Sequence, residues 1–172
     1  MKAIKTKFTG LFLFELDVFK DKRGFFLETF KYEYLKKLKL NINFKQDNHS
    51  RSKKYVLRGL HFQKYKKQSQ LITIIRGKIF DVAVDLRVNS KTFGKWYGVI
   101  LSDKGVRQIY MSEGFAHGFC VLSDFADLHY KVTETYDPKS EAGLNWKDPD
   151  IGIKWPIKKP LVKKRDDEFP YF

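Results

Sequence analysis

In 78-KIFDVAVDLRV-88, Phe80, Val82, Val84, Leu86 and Val88 fall on one side of an extended chain, while Asp81 and Asp85, with Ile79 and Ala83, fall on the other. A period of two is the side-chain period of a β-strand and leaves no stripe at helical spacing. Working outward, strand-like runs follow at 11-LFLFELDVF-19, 24-GFFLETF-30, 56-VLRGLHFQ-63, 69-SQLITIIRG-77, 95-KWYGVILS-102, 107-RQIYMS-112, 115-FAHGFCVLS-123 and 127-DLHYKVTET-135. Turn-forming clusters separate them at 20-KDKRG-24, 87-RVNSKTFG-94, 102-SDKG-105, 112-SEG-114 and 123-SDFAD-127. Only 31-KYEYLKKLKL-40 reads as a short helix, with Tyr34, Leu35 and Leu38 roughly on one side. Many short strands divided by turns imply an all-β sandwich or closed barrel. After Tyr136 the chain changes character, holding all five prolines and two of the three tryptophans. That segment is too aromatic for a loose tail and is expected to pack across the barrel as an extended arm.

Composition sets outer limits. At 172 residues the chain suits one domain, taken as residues 1–172, with enough length for a proper core. Hydrophobic residues make up 42%, with 16 Phe and 9 Tyr, which argues against disorder. No apolar run approaches the ~20 residues needed to span a bilayer. The start, MKAIKTKFTG, is basic but is not followed by the apolar core of a secretory signal. A single cysteine, Cys120, excludes an internal disulfide framework and suits the cytoplasm. The formal charge of +14 would fit a polyanionic partner, yet the lysines lie in scattered clusters without a nucleic-acid-binding signature. No membrane or nucleic-acid partner is expected; a small phosphorylated ligand needs only two or three well-placed cations.

The chain has four histidines, and His61 stands out because it lies on an apolar strand beside Arg58. Strict alternation places Leu57, Gly59 and His61 on one face, and Arg58, Leu60 and Phe62 on the other. A metal role finds little support, because there is no HxH pair and the remaining histidines, His49, His117 and His129, lie in other strands. Other polar groups occupy strands as well. 46-QDNHSRS-52 concentrates amide, imidazole and hydroxyl groups, and 114-GFAHGF-119 sets His117 among glycines and aromatics. Polar side chains facing a core are costly unless paired or used. Arg23 and Arg58 could each make forked contacts to a diphosphate.

In order along the chain, the pieces KDKRGFFLETF, FKQDNHSRS, VLRGLHFQ, RGKIFDVAVDLR, SKTFGKWYGVILS, EGFAHGFCVLS, LHYKVTETYDP, SEAGLNWKDPDIGIKWP and KKRD resemble the dTDP-4-dehydrorhamnose 3,5-epimerase family, the cupin-type epimerases of nucleotide-linked deoxysugars. The resemblance implies a double-stranded β-helix, a cupin-like jelly roll, with short flanking helices and an extended C-terminal arm. It implies that His61 is the general base, Asp166 the carboxylate paired with it and Tyr130 the general acid. Tyr136 would stack on the nucleotide base, and Arg23, Glu28, Gln46, Asp47, Asn48, Arg58, His117 and Glu141 would contact substrate or nucleotide. It further implies a homodimer that exchanges N-terminal strands, so that Arg23 and Glu28 serve the neighbouring site.

The residue types fit that chemistry. Epimerisation next to a ketone requires loss of a C–H proton to give an enolate, then protonation from the opposite face. Imidazole titrates near neutrality and suits the base, a buried carboxylate would fix its tautomer, and a tyrosine keeps its proton at neutral pH. No redox step occurs, so no cofactor is expected. Two positions depart from the family pattern: Gln70 stands where a lysine is usual, and Arg165 replaces another lysine. Gln70 keeps a hydrogen-bond donor but no charge, unless Lys66 or Lys67 folds inward. The alternatives are therefore an epimerase acting at only one of C3 and C5, or one taking a CDP- or GDP-linked sugar. A non-catalytic sugar- or nucleic-acid-binding barrel and a cupin metalloenzyme are the remaining readings.

Overall fold

The alternating run forms a strand over Lys78–Asp85 in the computed structural model, which describes residues 1–40, 42–105 and 108–172. In chain order the strands are β1 (Lys2–Lys5), β2 (Leu11–Glu15), β3 (Phe19–Asp21), β4 (Gly24–Phe26), β5 (Gln46–Lys53), β6 (Val56–Gln63) and β7 (Gln70–Arg76). They continue with β8 (Lys78–Asp85), β9 (Trp96–Ser102), β10 (Gln108–Met111), β11 (Phe115–Val121), β12 (Phe125–Val132), β13 (Glu141–Gly143) and β14 (Leu161–Val162). Two short helices, α1 (Tyr32–Lys37) and α2 (Lys164–Asp167), flank them. One sheet runs β1-β2-β10-β7-β12-β5 and the facing sheet runs β13-β6-β11-β8-β9, with β14 added beside β6. Pairing is antiparallel except between β14 and β6. This is the expected cupin-like jelly roll. The run 107-RQIYMS-112 becomes β10 from Gln108 onward, and Arg107 lies outside the described residues.

Both faces of β8 are buried, so its alternation marks two different environments rather than inside and outside. Ile79 and Ala83 join Leu13, Ile72, Ile74, Ile109 and Leu128 in the core between the sheets. Val82 and Val84 point the other way and pack with Leu144, Ile151, Ile153 and Trp155 of the C-terminal segment. The arm therefore clads the outside of the second sheet, as its aromatic content suggested. Fully burying each such aliphatic side chain is worth about 1.5–3 kcal/mol. The alternation stops at Asp85, and Val88 is 78% exposed in the following turn.

Of the two buried acids of β8, Asp85 is fully supplied with donors, whereas Asp81 engages His117 through Oδ2 and its Oδ1 has no hydrogen-bond partner among the described residues. Asp85 accepts hydrogen bonds from Arg87 Nε (2.8 Å) and Nη2 (2.7 Å), from Ser90 Oγ (2.6 Å) and from Thr92 Oγ1 (2.6 Å), which ties down the turn. Burial alone would raise its pKa, but these donors outweigh it and hold the carboxyl well below the usual range. On the outside of the first sheet, Leu35 and Leu38 pack with Phe14, Leu71, Tyr110 and Phe44. Tyr34, expected beside them, instead has Lys31 and Lys37 over its ring at 5.8 and 5.9 Å.

Candidate active site

A cavity of about 360 Å³ opens between the two sheets. Its first wall is β6, whose pairing with β11 matches His61 to His117 and Arg58 to Phe119. Two residues, Gly59 and Leu60, thus lie opposite Gly118 alone, which is a β-bulge. Alternation had separated Arg58 from His61; the extra residue turns both into the same cavity, while Leu60 and Phe62 pack on the outer cluster. Gly59 has φ +120°, and a Cβ there would sit 2.5 Å from Gly118 Cα, so glycine suits the crossing.

Behind His61 stands Asp166, carried by α2 and buried beneath the sheet. His61 Nε2 is 3.0 Å from Asp166 Oδ1, and Asp166 Oδ2 accepts the Gly59 backbone N–H at 3.2 Å. Burial by itself would raise the Asp166 pKa, yet the hydrogen bond and charge of His61, the Gly59 N–H and the Arg165 charge bring it below the ordinary value. An ionised carboxylate at 3.0 Å requires the proton on Nε2. Nδ1 then holds the lone pair of the neutral ring. Phe169 stands edge-on to the imidazole, with ring centroids 5.7 Å apart.

The facing wall comes from β5, β7 and β12. Tyr130 lines the cavity from β12, and burial raises its pKa against the opposing charge of Arg58. Gln46 and Asn48 line it from β5, joined by a 2.8 Å amide hydrogen bond. Arg58 Nε donates to Ser52 Oγ at 2.9 Å. His117 also faces the cavity, with Nε2 2.8 Å from the fully buried Asp81. Gln70 lies in the wall, as expected, and neither Lys66 nor Lys67 lines this cavity. Lys66 reaches Asp137 at 3.6 Å, while Lys67 lines an adjoining cleft of about 400 Å³ that shares Phe62, Gln63, Gln68 and Gln70 with the site.

At the rim, Tyr136, Glu141 and Arg165 form a polar chain. The Tyr136 hydroxyl donates to Glu141 Oε2 at 2.8 Å, and Arg165 Nη1 donates to the same oxygen at 2.6 Å. The Tyr136 backbone N–H donates to Gln46 Oε1 at 2.9 Å.

Three of the expected contact residues do not line this chain's own cavity, two of them, Arg23 and Glu28, being those expected to serve a neighbouring copy. Asp47 has the opposite parity to Gln46 and Asn48, so it faces outward and pairs with Lys131 Nζ at 2.8 Å. Arg23 lies in the exposed β3–β4 hairpin, bound to Asp21 at 2.6 Å, and Glu28 is 3.4 Å from Lys31. Conversely, Ser50, Gln63, Gln68 and Phe119 line the cavity although the sequence reading passed over them. The parity of Gln46 and Asn48 would have pointed to Ser50; the buried Asp81 behind His117 had no comparable signal. Among the described residues, no three His, Cys, Asp or Glu side chains gather as metal ligands, and no helix is long and apolar enough to cross a membrane.

Comparison with known proteins agrees with this geometry. The sequence profile of the dTDP-4-dehydrorhamnose 3,5-epimerase family matches residues 5–172. A dTDP-4-dehydrorhamnose 3,5-epimerase of Methanothermobacter thermautotrophicus is 52% identical over 156 residues, covering 91% of this chain and 84% of the relative. A dTDP-4-dehydrorhamnose 3-epimerase of Streptomyces niveus is 41% identical over 150 residues, covering 86% and 72%. The crystal structure of the Legionella pneumophila 3,5-epimerase in complex with dTDP-4-keto-L-rhamnose superposes with a TM-score of 0.95 at 42% identity, covering 99% of this chain and 92% of that one. With fold, family profile and close relatives in agreement over nearly its whole length, the chain belongs to the dTDP-4-dehydrorhamnose 3,5-epimerase family.

Proposed function

We propose that this protein is an isomerase that epimerises dTDP-4-dehydro-6-deoxy-D-glucose at C3 and C5 to give dTDP-4-dehydro-L-rhamnose. The observation that carries the reading is that His61 on one sheet and Tyr130 on the facing sheet border one cavity, with Asp166 of α2 held 3.0 Å behind His61. His61 Nδ1 takes the proton from the carbon beside the C4 ketone, and the C–H electron pair becomes the enolate. Tyr130 then delivers its phenolic proton to the opposite face of that carbon. Repetition at the second carbon, with proton exchange between the two side chains and water, completes the cycle without net oxidation. Asp166 stabilises the imidazolium and keeps Nε2 protonated. Arg58 and Arg165 suit the diphosphate, and Tyr136 the flat base.

Gln70 favours a second reading, epimerisation at one carbon only. Its amide can donate to the developing oxyanion, but without a lysine's charge, and removing an oxyanion donor outright costs roughly 10²–10³ in rate. The 3-epimerase among the relatives keeps that option real. Turnover in D₂O followed by NMR separates the two: deuterium at both C3 and C5 is the expected result, and label at one carbon alone replaces it with the monofunctional enzyme.

The same proposal includes a homodimer. Phe19, Phe25 and Phe26 on the β3–β4 hairpin are 61%, 62% and 65% exposed, an apolar surface suited to a second copy. In such a dimer Arg23 and Glu28 would reach the neighbouring cavity. Sedimentation is expected to show a dimer that Phe25→Ser with Phe26→Ser weakens; a monomeric wild type would end this part of the reading.

A further inference from the structure

We propose that Arg165 is an ionic latch on the catalytic base, competing with His61 for Asp166 until the diphosphate of the substrate draws the guanidinium away. The inference rests on the epimerase reading above and concerns how the nucleotide half of the substrate acts on the reacting half. One guanidinium makes three approaches: Nη1 donates to Glu141 Oε2 at 2.6 Å, Nε lies 3.4 Å from Asp166 Oδ1, and Nη2 lies 3.5 Å from His61 Nε2. Asp166 Oδ1 is also the oxygen that pairs with His61 Nε2 at 3.0 Å. The other oxygen, Oδ2, faces the Gly59 N–H instead, so both His61 and Arg165 are directed to Oδ1. Two cationic or proton-bearing groups therefore converge on one buried oxygen.

The approach of Arg165 to His61 is not a supporting hydrogen bond. While Nε2 gives its proton to Asp166 it has no lone pair for Nη2, so an N–H faces an N–H. When His61 takes a substrate proton it becomes an imidazolium facing the guanidinium, and the two cations then draw on the same Asp166 oxygen. Among the described residues, the other charged or titratable groups in the cavity with His61 are Arg58 on its own strand, His117 on β11, Tyr130 on β12, Glu141 on β13 and Tyr136 at the rim. Arg165, among the described residues, bridges the rim and the His61–Asp166 pair. Its side chain is long and 42% exposed, so it can turn without unpacking the core.

A diphosphate in the cavity offers a guanidinium shorter, forked, charge-assisted hydrogen bonds. Once Arg165 takes them, Asp166 belongs to His61 alone, and the neighbouring positive charge is neutralised. Binding energy from the non-reacting nucleotide half is then expressed in the proton-transfer step. Arg165 is a positioning residue on this account, acting on the base through Asp166.

The test compares two substrates, the dTDP-linked 4-keto-6-deoxyhexose and the free 4-keto-6-deoxyhexose, by solvent-deuterium exchange. Wild-type exchange on the dTDP-linked sugar is expected; its absence overturns the epimerase reading and the latch together. With that exchange in hand, Arg165→Gln is expected to raise KM for the dTDP-linked sugar about tenfold and to exchange the free sugar about three- to tenfold faster than wild type. Arg165→Lys, which retains a cation but not the fork, is expected to speed free-sugar exchange less than Arg165→Gln does, and an equal or larger gain overturns the latch. An Arg165→Gln rate on the free sugar equal to wild type reduces Arg165 to a phosphate ligand, and a slower rate makes it an ordinary part of the catalytic machinery. Either result overturns the latch.

Discussion

Replacing His61 by glutamine lowers kcat on dTDP-4-dehydro-6-deoxy-D-glucose by about 10²–10⁴-fold, the usual contribution of a positioned general base. Glutamine is the informative choice because its amide can still donate to Asp166 from the same strand position. The buried carboxylate therefore keeps a partner, and the large penalty of an orphaned buried charge is avoided. What the amide lacks is a lone pair that takes up a proton near neutral pH. Affinity for dTDP should change only a few-fold, since Arg58, Tyr136 and Glu141, which also line the cavity, are untouched. Deuterium exchange at C3 and C5 should fall with turnover, because both require the C–H bond to break. Turnover within a few-fold of wild type would remove His61 from the role of base.

Tyr130→Phe separates the two halves of the reaction. The phenylalanine keeps the packing of the half-buried ring but has no proton to give, so inverted product should fall by about 10²–10³-fold. His61 is still able to remove a proton and return a solvent-derived one to the same face. Exchange without inversion should then exceed net epimerisation, which NMR of the recovered substrate measures directly. The pH dependence carries the same assignment. Tyrosine acts here in its neutral form, and burial raises its pKa above the ordinary value near 10, with Arg58 opposing that rise. Because a raised pKa keeps the phenol protonated to higher pH, the alkaline loss of wild-type activity attributable to Tyr130 should lie above pH 10. Normal inversion by Tyr130→Phe would assign the acid to another group.

Much of the architecture was legible locally. The alternation at residues 78–85 follows from the strand's own geometry, and the KDKRG and RVNSKTFG turns formed where their glycine and polar residues placed them. Longer strand estimates were trimmed: LFLFELDVF yields only Leu11–Glu15 before the chain leaves the sheet for the hairpin beginning at Phe19. The candidate site residues came from the family resemblance, which named His61, Tyr130 and Asp166 across more than a hundred residues of chain. No local periodicity could have paired them, because the helix bearing Asp166 reaches His61 only through the packing of the arm beside β6.

The sequence by itself determined the β character of the chain, the packing of the aromatic arm against the barrel, and the set of residue types able to move a proton beside a ketone. Those properties depend on side-chain period, hydrophobicity and acid–base chemistry, which each residue carries with it. Only the tertiary structure decided which way the polar strand residues point. In QDNHSRS both parities are polar, so pairing with β12 had to choose Gln46, Asn48 and Ser50 for the cavity and turn Asp47 to the outside. In VLRGLHFQ the bulge opposite Gly118 added one residue to the count and brought Arg58 and His61 to the same wall. A bulge is a relation between two strands, and a period read along one strand cannot contain it.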